Sequence, residues 1–339
     1  MNLFHIKDWV IIKNRNLSIF GLTKIENNKI ININPLKGGV SCEIYKVDTT
    51  DKSYCVKKAL RKLKVRKNWY ADPIRSYYEF LWLKKVKKIS PHSVPRVVEY
   101  NKKRNFLIIQ YLDNNKYYNL KDELLKGRVN TPVIVSLSKK ISYIHANLKS
   151  NYNKKIFQPH NFNFINLRVD PYINELKKKY PKLKNKIIET ANFLIKNKHT
   201  VIHGDFTPKN ILCSKNKQII LDAEVANYGD PAFDIVSLIN HLIIKLIYVN
   251  KNKKEFVYAL QKSFNIYFSN VTWEDKALII KRSLSLIPLM ILARIDGKSP
   301  VEYLKLLKDK NKLRKIALEL IEIDNYDFET ITNSLMYVK

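Results

Sequence analysis

Between residues 28 and 60 apolar and polar positions alternate in short runs, KIININPL, CEIYKV and SYCVKKAL, separated by Gly38-Gly39 and by TTDKS at 49–53. A period of two is the side-chain period of a strand, so these runs predict a small antiparallel sheet. Asp72-Pro73 then sets an N-cap residue before a proline at the first helical position, which opens a helix. Along that helix Trp82, Leu83 and Val86 recur at helical spacing, and Glu79 falls on the same stripe, where a carboxylate needs a partner. After SPHSVPRVVEY comes another strand, NFLIIQYLD, and beyond it the period is mostly helical: 131–149, 171–197, 231–249, 253–268, 273–293 and 301–322. A sheet-rich first third and a helical remainder predict an α+β protein of two lobes, 1–113 and 114–339, with the crossing near Tyr111 to Asn115. No internal repeat or low-complexity linker interrupts the pattern.

One stretch departs from both periods. Residues 201–235, VIHGDFTPKNILCSKNKQIILDAEVANYGDPAFDI, carry five carboxylates and two of the seven glycines of the chain. TVIH reads as a short buried strand that Gly204 and Pro208 stop; ILC and QIILD read as two strands joined by the polar turn SKNK. Asp205 and Asn210 therefore share a loop, and Asp222 ends a strand that returns beside it. Oxygen ligands brought together in this way repel one another unless a cation lies between them, and such hard donors suit Mg²⁺ bound with phosphate. Glu224 points to the same side if the chain stays extended. Asp230-Pro231 repeats the N-cap and proline signature, and Asp234 is expected to tie the loop to its helix.

The order of these parts is that of phosphoryl-transfer enzymes of the kinase type: an upstream strand lysine, a helix glutamate, a loop Asp, an Asn five residues later, and an Asp after a hairpin. Lys57 and Glu79 supply the first two, with Lys57 preferred to Lys58 because the V-K-x-A match places it there, and alternation sends the two side chains to opposite faces. Gly38, Gly39 and Ser41, in GGVS, would let backbone N–H groups approach phosphate closely. His203 and His145 read as satisfied core groups.

Composition changes this picture little. The 339 residues are 45% apolar, enough for sizeable cores, and the formal net charge is +32. The lysines are scattered and far outnumber arginine, while Asn, Ile and Tyr abound, a bias that AT-rich codons produce. A nucleic-acid binder built on this charge ranks below an enzyme, and would show affinity falling steeply with salt. Cys42, Cys55 and Cys213 have no paired spacing, which argues against a disulfide framework or structural zinc and fits a reducing cytoplasm. The richest apolar stretch, Ala277 to Ile295, is broken by Lys281, Arg282 and Pro288, so no membrane span is expected. The first residues, MNLFHIKDWVIIKNRN, lack a secretory pattern, and the mature chain is expected to start near Met1.

The chain resembles the aminoglycoside phosphotransferase superfamily of small-molecule kinases, and within it leans toward methylthioribose-kinase-like members. The resemblance is carried by LKGGVSCEIYKV, CVKKALRKLKV, RSYYEFLWL, HGDFTPKNIL, LDAEVANYGDPAFDI and LARIDGKSPVEYL, spanning residues 36–304. It implies a protein-kinase-like bilobal fold, ATP bound at the hinge near Gln110, Tyr111 and Leu112, and phosphate transfer to a hydroxyl. By position it makes Asp205 the catalytic residue, Asn210 and Asp222 metal ligands, and Glu224 the second acid of a D-x-E variant. Only GGVS stands where a protein kinase has its longer glycine loop, no Arg follows His203, and neither DFG nor an APE-like segment occurs. A protein substrate is therefore not expected. Methylthioribose kinases usually carry Ser at the place of Asn210 and a paired Arg at Ala293-Arg294. Arg294 is a candidate to grip an oxygen-rich acceptor, with a plain helix-terminal role as the alternative. A polycationic aminoglycoside would want an acidic groove, so a sugar-like or neutral acceptor ranks above it. A catalytically silent kinase-like binding module is the remaining alternative.

Overall fold

The alternating runs of the first third pair in sequence order until a helix intervenes. The computed structural model describes residues 30–36, 39–65, 68–323 and 325–337; Gly38 and the N-terminal stretch lie outside the described residues. Strands β1 (Ile30–Pro35), β2 (Cys42–Thr49), β3 (Ser53–Ala59), β4 (Val97–Asn101) and β5 (Phe106–Gln110) form an antiparallel sheet in the order β1-β2-β3-β5-β4. Helix α1 (Arg75–Ile89) follows β3, two residues later than Asp72-Pro73 predicts, and the Asp72 carboxylate accepts the Ile74 N–H at 2.9 Å in the turn that leads into it.

Alternation sorts the sheet into two faces. Val47, Tyr54, Val56, Phe106 and Ile108 make a small core on one side. Leu107 and Ile109 face the other way and join Trp82, Leu83 and Val86 of α1 in the main core, which continues without a break into the helical lobe. Lys57 pairs with Leu107 in register and shares its face, whereas Lys58 reaches Glu43 at 4.0 Å and lies over the Phe106 ring on the other face.

The second lobe contains β6 (Tyr118–Asn119), α2 (Leu120–Leu125), α3 (Thr131–Leu148), α4 (Asn151–Phe157), a π-helical stretch Ile165–Ile173, and α5 (Lys184–Lys196). Then come β7 (Thr200–Ile202), β8 (Ile211–Cys213), β9 (Gln218–Ile220), β10 (Asn227–Gly229) and the helices α6 (Ala232–Val249), α7 (Lys253–Ser269), α8 (Lys276–Asp296), α9 (Leu307–Glu322) and α10 (Phe328–Tyr337). Its short strands pair as β10-β7 and β6-β8-β9, so the stretch at 201–235 folds as two small antiparallel ladders.

The helix expected over 171–197 is instead divided. Pro171 and Pro181 each lack an N–H donor, and the chain passes through π and 3₁₀ turns before α5 begins. The last expected helix starts at Leu307 rather than 301. Among the described residues, α6 is the one helix long and apolar enough to cross a membrane; 89% of it is buried inside the lobe, packed against α7, α8 and α9.

Candidate active site

Five of the polar groups singled out in the sequence meet where the sheet lobe faces the short ladders. The Lys57 ammonium lies 2.6 and 2.8 Å from the two oxygens of Glu79 and 2.7 Å from Asp222 Oδ1. Burial alone would lower the Lys57 pKa, but Asp222 and Glu79 outweigh it and hold the group well above its ordinary value. Glu79, whose position on an apolar stripe demanded a partner, has one. Asp222 follows β9 with a φ of 68°, in the left-handed region that Asp tolerates, and this turn directs its carboxylate back toward Lys57.

Asp205 lies in the loop after β7, and three donors converge on its Oδ2: Asn210 Nδ2 at 2.9 Å, Lys209 Nζ at 3.0 Å and Arg168 Nη2 at 3.1 Å. None of these bonds takes Oδ1. Burial would raise this carboxyl, but Arg168 and then Lys209 hold it well below the usual carboxylate range. Asn210 Nδ2 also donates to the Asp205 carbonyl at 2.9 Å, which leaves the amide oxygen of Asn210 for another partner. The Asn210 carbonyl accepts from Leu221 N at 2.9 Å, so the loop bearing Asp205 and the strand ending at Asp222 are stitched side by side.

Buried polar groups hold the loop in place. Asp234, in the first turn of α6, accepts from His203 N at 2.7 Å and Gly204 N at 2.8 Å, and its Oδ2 lies 3.1 Å from His145 Nε2. This is the tie between loop and helix expected of it. His203 Nδ1 accepts from Asp205 N at 3.1 Å and its Nε2 lies 3.0 Å from the Leu221 carbonyl, so the ring is a neutral brace between the two segments. Burial keeps its pKa low. Asp230 accepts from Ala232 N at 3.0 Å in the turn that leads into α6 and is also clasped by Arg282 at 2.8 Å.

Gly204 has a φ of +77°, and a Cβ there would meet the Val225 carbonyl oxygen at 2.8 Å and Val225 Cγ2 at 2.9 Å. Alanine at this position combines a disfavoured backbone with a clash against main chain. A Gly204→Ala variant is expected to lose about 2 to 3 kcal/mol of stability, read as a lowered midpoint in urea unfolding. A midpoint equal to that of the parent would remove this account of the turn.

One expected metal ligand is already engaged elsewhere. Glu224, expected on the metal, has Oε2 bonded by Arg75 Nε at 2.9 Å and approached by Cys42 Sγ at 3.7 Å, so a buried guanidinium already neutralises it. Arg75, fully buried, also donates to the carbonyls of Ala71, Asp72, Ser41 and Leu60. Ser41 is thus held by its carbonyl, next to Gly39, whose φ of +77° suits glycine. Gln110 pairs with Tyr54 and shares its face of the sheet, so its side chain lies opposite to Lys57. Tyr111 is half-buried under Lys46, and Leu112 is buried. Arg294, near the end of α8, stacks on Tyr172 at 5.1 Å and donates through Nη1 to the Ser299 carbonyl.

Arg75, Arg168 and Lys209 were not assigned from sequence. Arg168 sits on the π-helical stretch, where it also donates to the carbonyls of Gly204 at 2.9 Å and Leu167 at 2.8 Å.

Residues 32–247 match the phosphotransferase enzyme family, nearly two-thirds of the chain. The chain belongs to the phosphotransferase enzyme family. Solved structures agree on the fold of this phosphotransferase. It is similar to a choline/ethanolamine kinase family protein from Mesorhizobium loti at 14% identity and a TM-score of 0.53, covering 90% of this chain and 92% of that one. It is similar to a putative aminoglycoside phosphotransferase from Ralstonia eutropha JMP134 at 12% identity and a TM-score of 0.51, covering 96% and 98%. A choline kinase from Cryptosporidium parvum Iowa II aligns at 13% identity and a TM-score of 0.51, covering 91% of each chain. No curated protein sequence matches. These likenesses support the aminoglycoside phosphotransferase superfamily and a kinase-like bilobal fold; they do not reach the methylthioribose-kinase branch.

Proposed function

We propose that this phosphotransferase moves the γ-phosphoryl group of ATP to a hydroxyl of a small molecule. The observation that carries the reading is the joint placement of Lys57, between Glu79 and Asp222, and of Asp205, with Oδ1 unused among the described residues, on the adjoining loop. We assign nucleotide binding to residues 1–113 and acceptor binding to 114–339, since Lys57 and the Gly39 turn precede the division and Asp205 follows it.

Each residue has a separate task. Lys57 binds nucleotide phosphate oxygens, and Glu79 keeps its ammonium in position. The backbone at Gly39 and Ser41 approaches the phosphates, and the chain at Gln110 to Leu112 lies beside the base. Asp222 and the free amide oxygen of Asn210 are hard donors that fit Mg²⁺, and they would hold it; the ion supplies neutralisation of phosphate charge. Glu224 is left out of the metal set because Arg75 holds it, and we give it the task of fixing the segment after Asp222. The finer likeness to methylthioribose kinases leaned on Glu224 as a second metal acid, and this placement does not support that role.

Asp205 receives the acceptor hydroxyl at Oδ1. The hydroxyl oxygen forms a bond to the γ-phosphorus as the bond to the ADP oxygen breaks, and the hydroxyl proton passes to Asp205. A carboxylate held so strongly ionised is a weak base. It serves first to orient the hydroxyl and takes the proton late, as suits a loose transition state.

Incubating the protein with Mg²⁺-ATP and a panel of sugars, hydroxy acids and amino alcohols, then weighing the products, tests the reading: one acceptor should gain a phosphoryl group as ADP appears. ATP turnover with no acceptor-dependent product would favour a silent binding module. A Lys57→Met variant is expected to lower kcat/KM by about 10² to 10³ and to weaken ADP binding in calorimetry. Unchanged ADP affinity would separate Lys57 from the phosphates.

A further inference from the structure

Next to Asp205 lies a set of cations that the transfer reaction leaves unused. Lys245, on the inner face of α6, is 1% exposed. Its ammonium has two long neutral contacts, the Tyr303 hydroxyl at 3.3 Å and the His241 carbonyl at 3.5 Å. No carboxylate among the described residues lies within ion-pairing distance of it, or of Arg294. Arg294 Nε is buried without a hydrogen-bond partner among the described residues. A buried cation left without an anion is costly, and a structural lysine would be matched by a carboxylate or several carbonyls.

The set is continuous with the reacting centre. Arg168, bonded to Asp205, lies 5.7 Å from the centre of the Tyr172 ring, and Arg294 lies 5.1 Å from the same ring. His241, one turn before Lys245, is within electrostatic reach of Lys245, Arg294, Asp205 and Lys209. Burial, with Lys121 and Arg294 nearby, pushes Lys245 down to about 7. Of the two acids that act on Lys245 from a distance, Glu302 is paired with Lys121 and largely exposed, and Asp122 is exposed on α2.

The aromatic rings are also taken. Lys245 and Lys121 lie 5.1 and 6.0 Å from the Tyr303 ring centre, and Tyr172 carries two guanidinium groups, so neither ring is left for a quaternary ammonium ligand.

We propose that the acceptor of this phosphotransferase is itself an anion, with a carboxylate or phosphate beside the reacting hydroxyl, and that Lys245 and Arg294 bind that group. An anion there would supply the charge Lys245 lacks and fill the free donor of the Arg294 fork. This rests on the kinase reading given above and sets the acceptor apart from choline, ethanolamine and aminoglycosides.

The test compares matched acceptors with Mg²⁺-ATP: glycerate and glycerol 3-phosphate against glycerol, gluconate against sorbitol, and choline and ethanolamine as cations. Acidic members should lead in kcat/KM by about tenfold or more, with the carboxylates and the phosphate ester showing which anion is preferred. Lys245→Met should raise KM for the best acid by a similar factor while KM for ATP stays constant. Glu302→Gln, a change at an exposed position that folding tolerates, should lower that KM. Equal handling of all classes, a lead for neutral or cationic members, no response in any of them, or unaltered KM in both variants overturns the inference. Calorimetric binding of Mg²⁺-ADP to the parent protein decides separately whether the kinase reading stands.

Discussion

Replacing Asp205 with asparagine is expected to lower turnover by a factor of about 10² to 10⁴ while leaving the affinity for Mg²⁺-ADP nearly unchanged. The substitution keeps the shape of the side chain and removes its charge. Lys57, Glu79 and Asp222 make no bond to Asp205, so the nucleotide contacts stay. On the proposed reading, what is lost is the carboxylate that orients the acceptor and takes its proton. Arg168 then loses its carboxylate but keeps the Gly204 and Leu167 carbonyls. Some stability is lost with it, so the variant is to be compared below its own melting transition. Steady-state kinetics with calorimetric ADP titration reads both quantities, and near-parental turnover would end the assignment of Asp205.

Arg75→Met is expected to be the most destabilising single change, at about 3 to 5 kcal/mol. The guanidinium is fully buried and joins four parts of the chain: Glu224 beyond Asp222, Ser41 at the glycine turn, Leu60 after β3, and the start of α1. Methionine fills much of the volume but strands a buried carboxylate and four carbonyls. Lysine should rescue little, because a single ammonium cannot span the positions that a planar fork reaches. Adding Glu224→Gln to Arg75→Met should recover part of the loss, because the unpaired charge is then gone. Urea unfolding midpoints measure all of these, and a loss within about 0.5 kcal/mol, the range of an ordinary surface change, would mean that the clamp is not what holds these segments.

Cap chemistry and side-chain period made much of this fold legible. Asp72 and Asp230 bond main-chain N–H groups in the turns that lead into α1 and α6, each standing ahead of where its helix begins, and Asp234 ties loop to helix because its carboxylate at the start of α6 lies under two main-chain donors. Lys57 could be told from Lys58 because the V-K-x-A pattern marks it and alternation in β3 puts the two on opposite faces. β4 was not legible: it is a half-buried edge strand with a register shift between Val97 and Glu99, which blurs the alternation. Helices α2 and α4 are too short to display a period.

The partners of the carboxylates were the hardest to foresee. Arg75 and Glu224 are 149 positions apart, and only the tertiary fold brings them together. A compositional clue existed all the same. The chain has eleven arginines against fifty-one lysines. Arg75, Arg168, Arg282 and Arg314 each clasp a carboxylate that the fold has placed. In a chain so rich in lysine, these four arginines stand where a planar fork is used.

Helix α6 begins at the aspartate that fixes the reacting loop and, two to three turns further on, presents His241 and Lys245. On the proposed reading, one helix therefore carries both halves of the work at different heights. Selectivity for the incoming molecule can be rewritten at the upper positions while the lower anchor keeps the machinery aligned, which makes 241 and 245 the natural handles for redirecting this catalyst to other compounds.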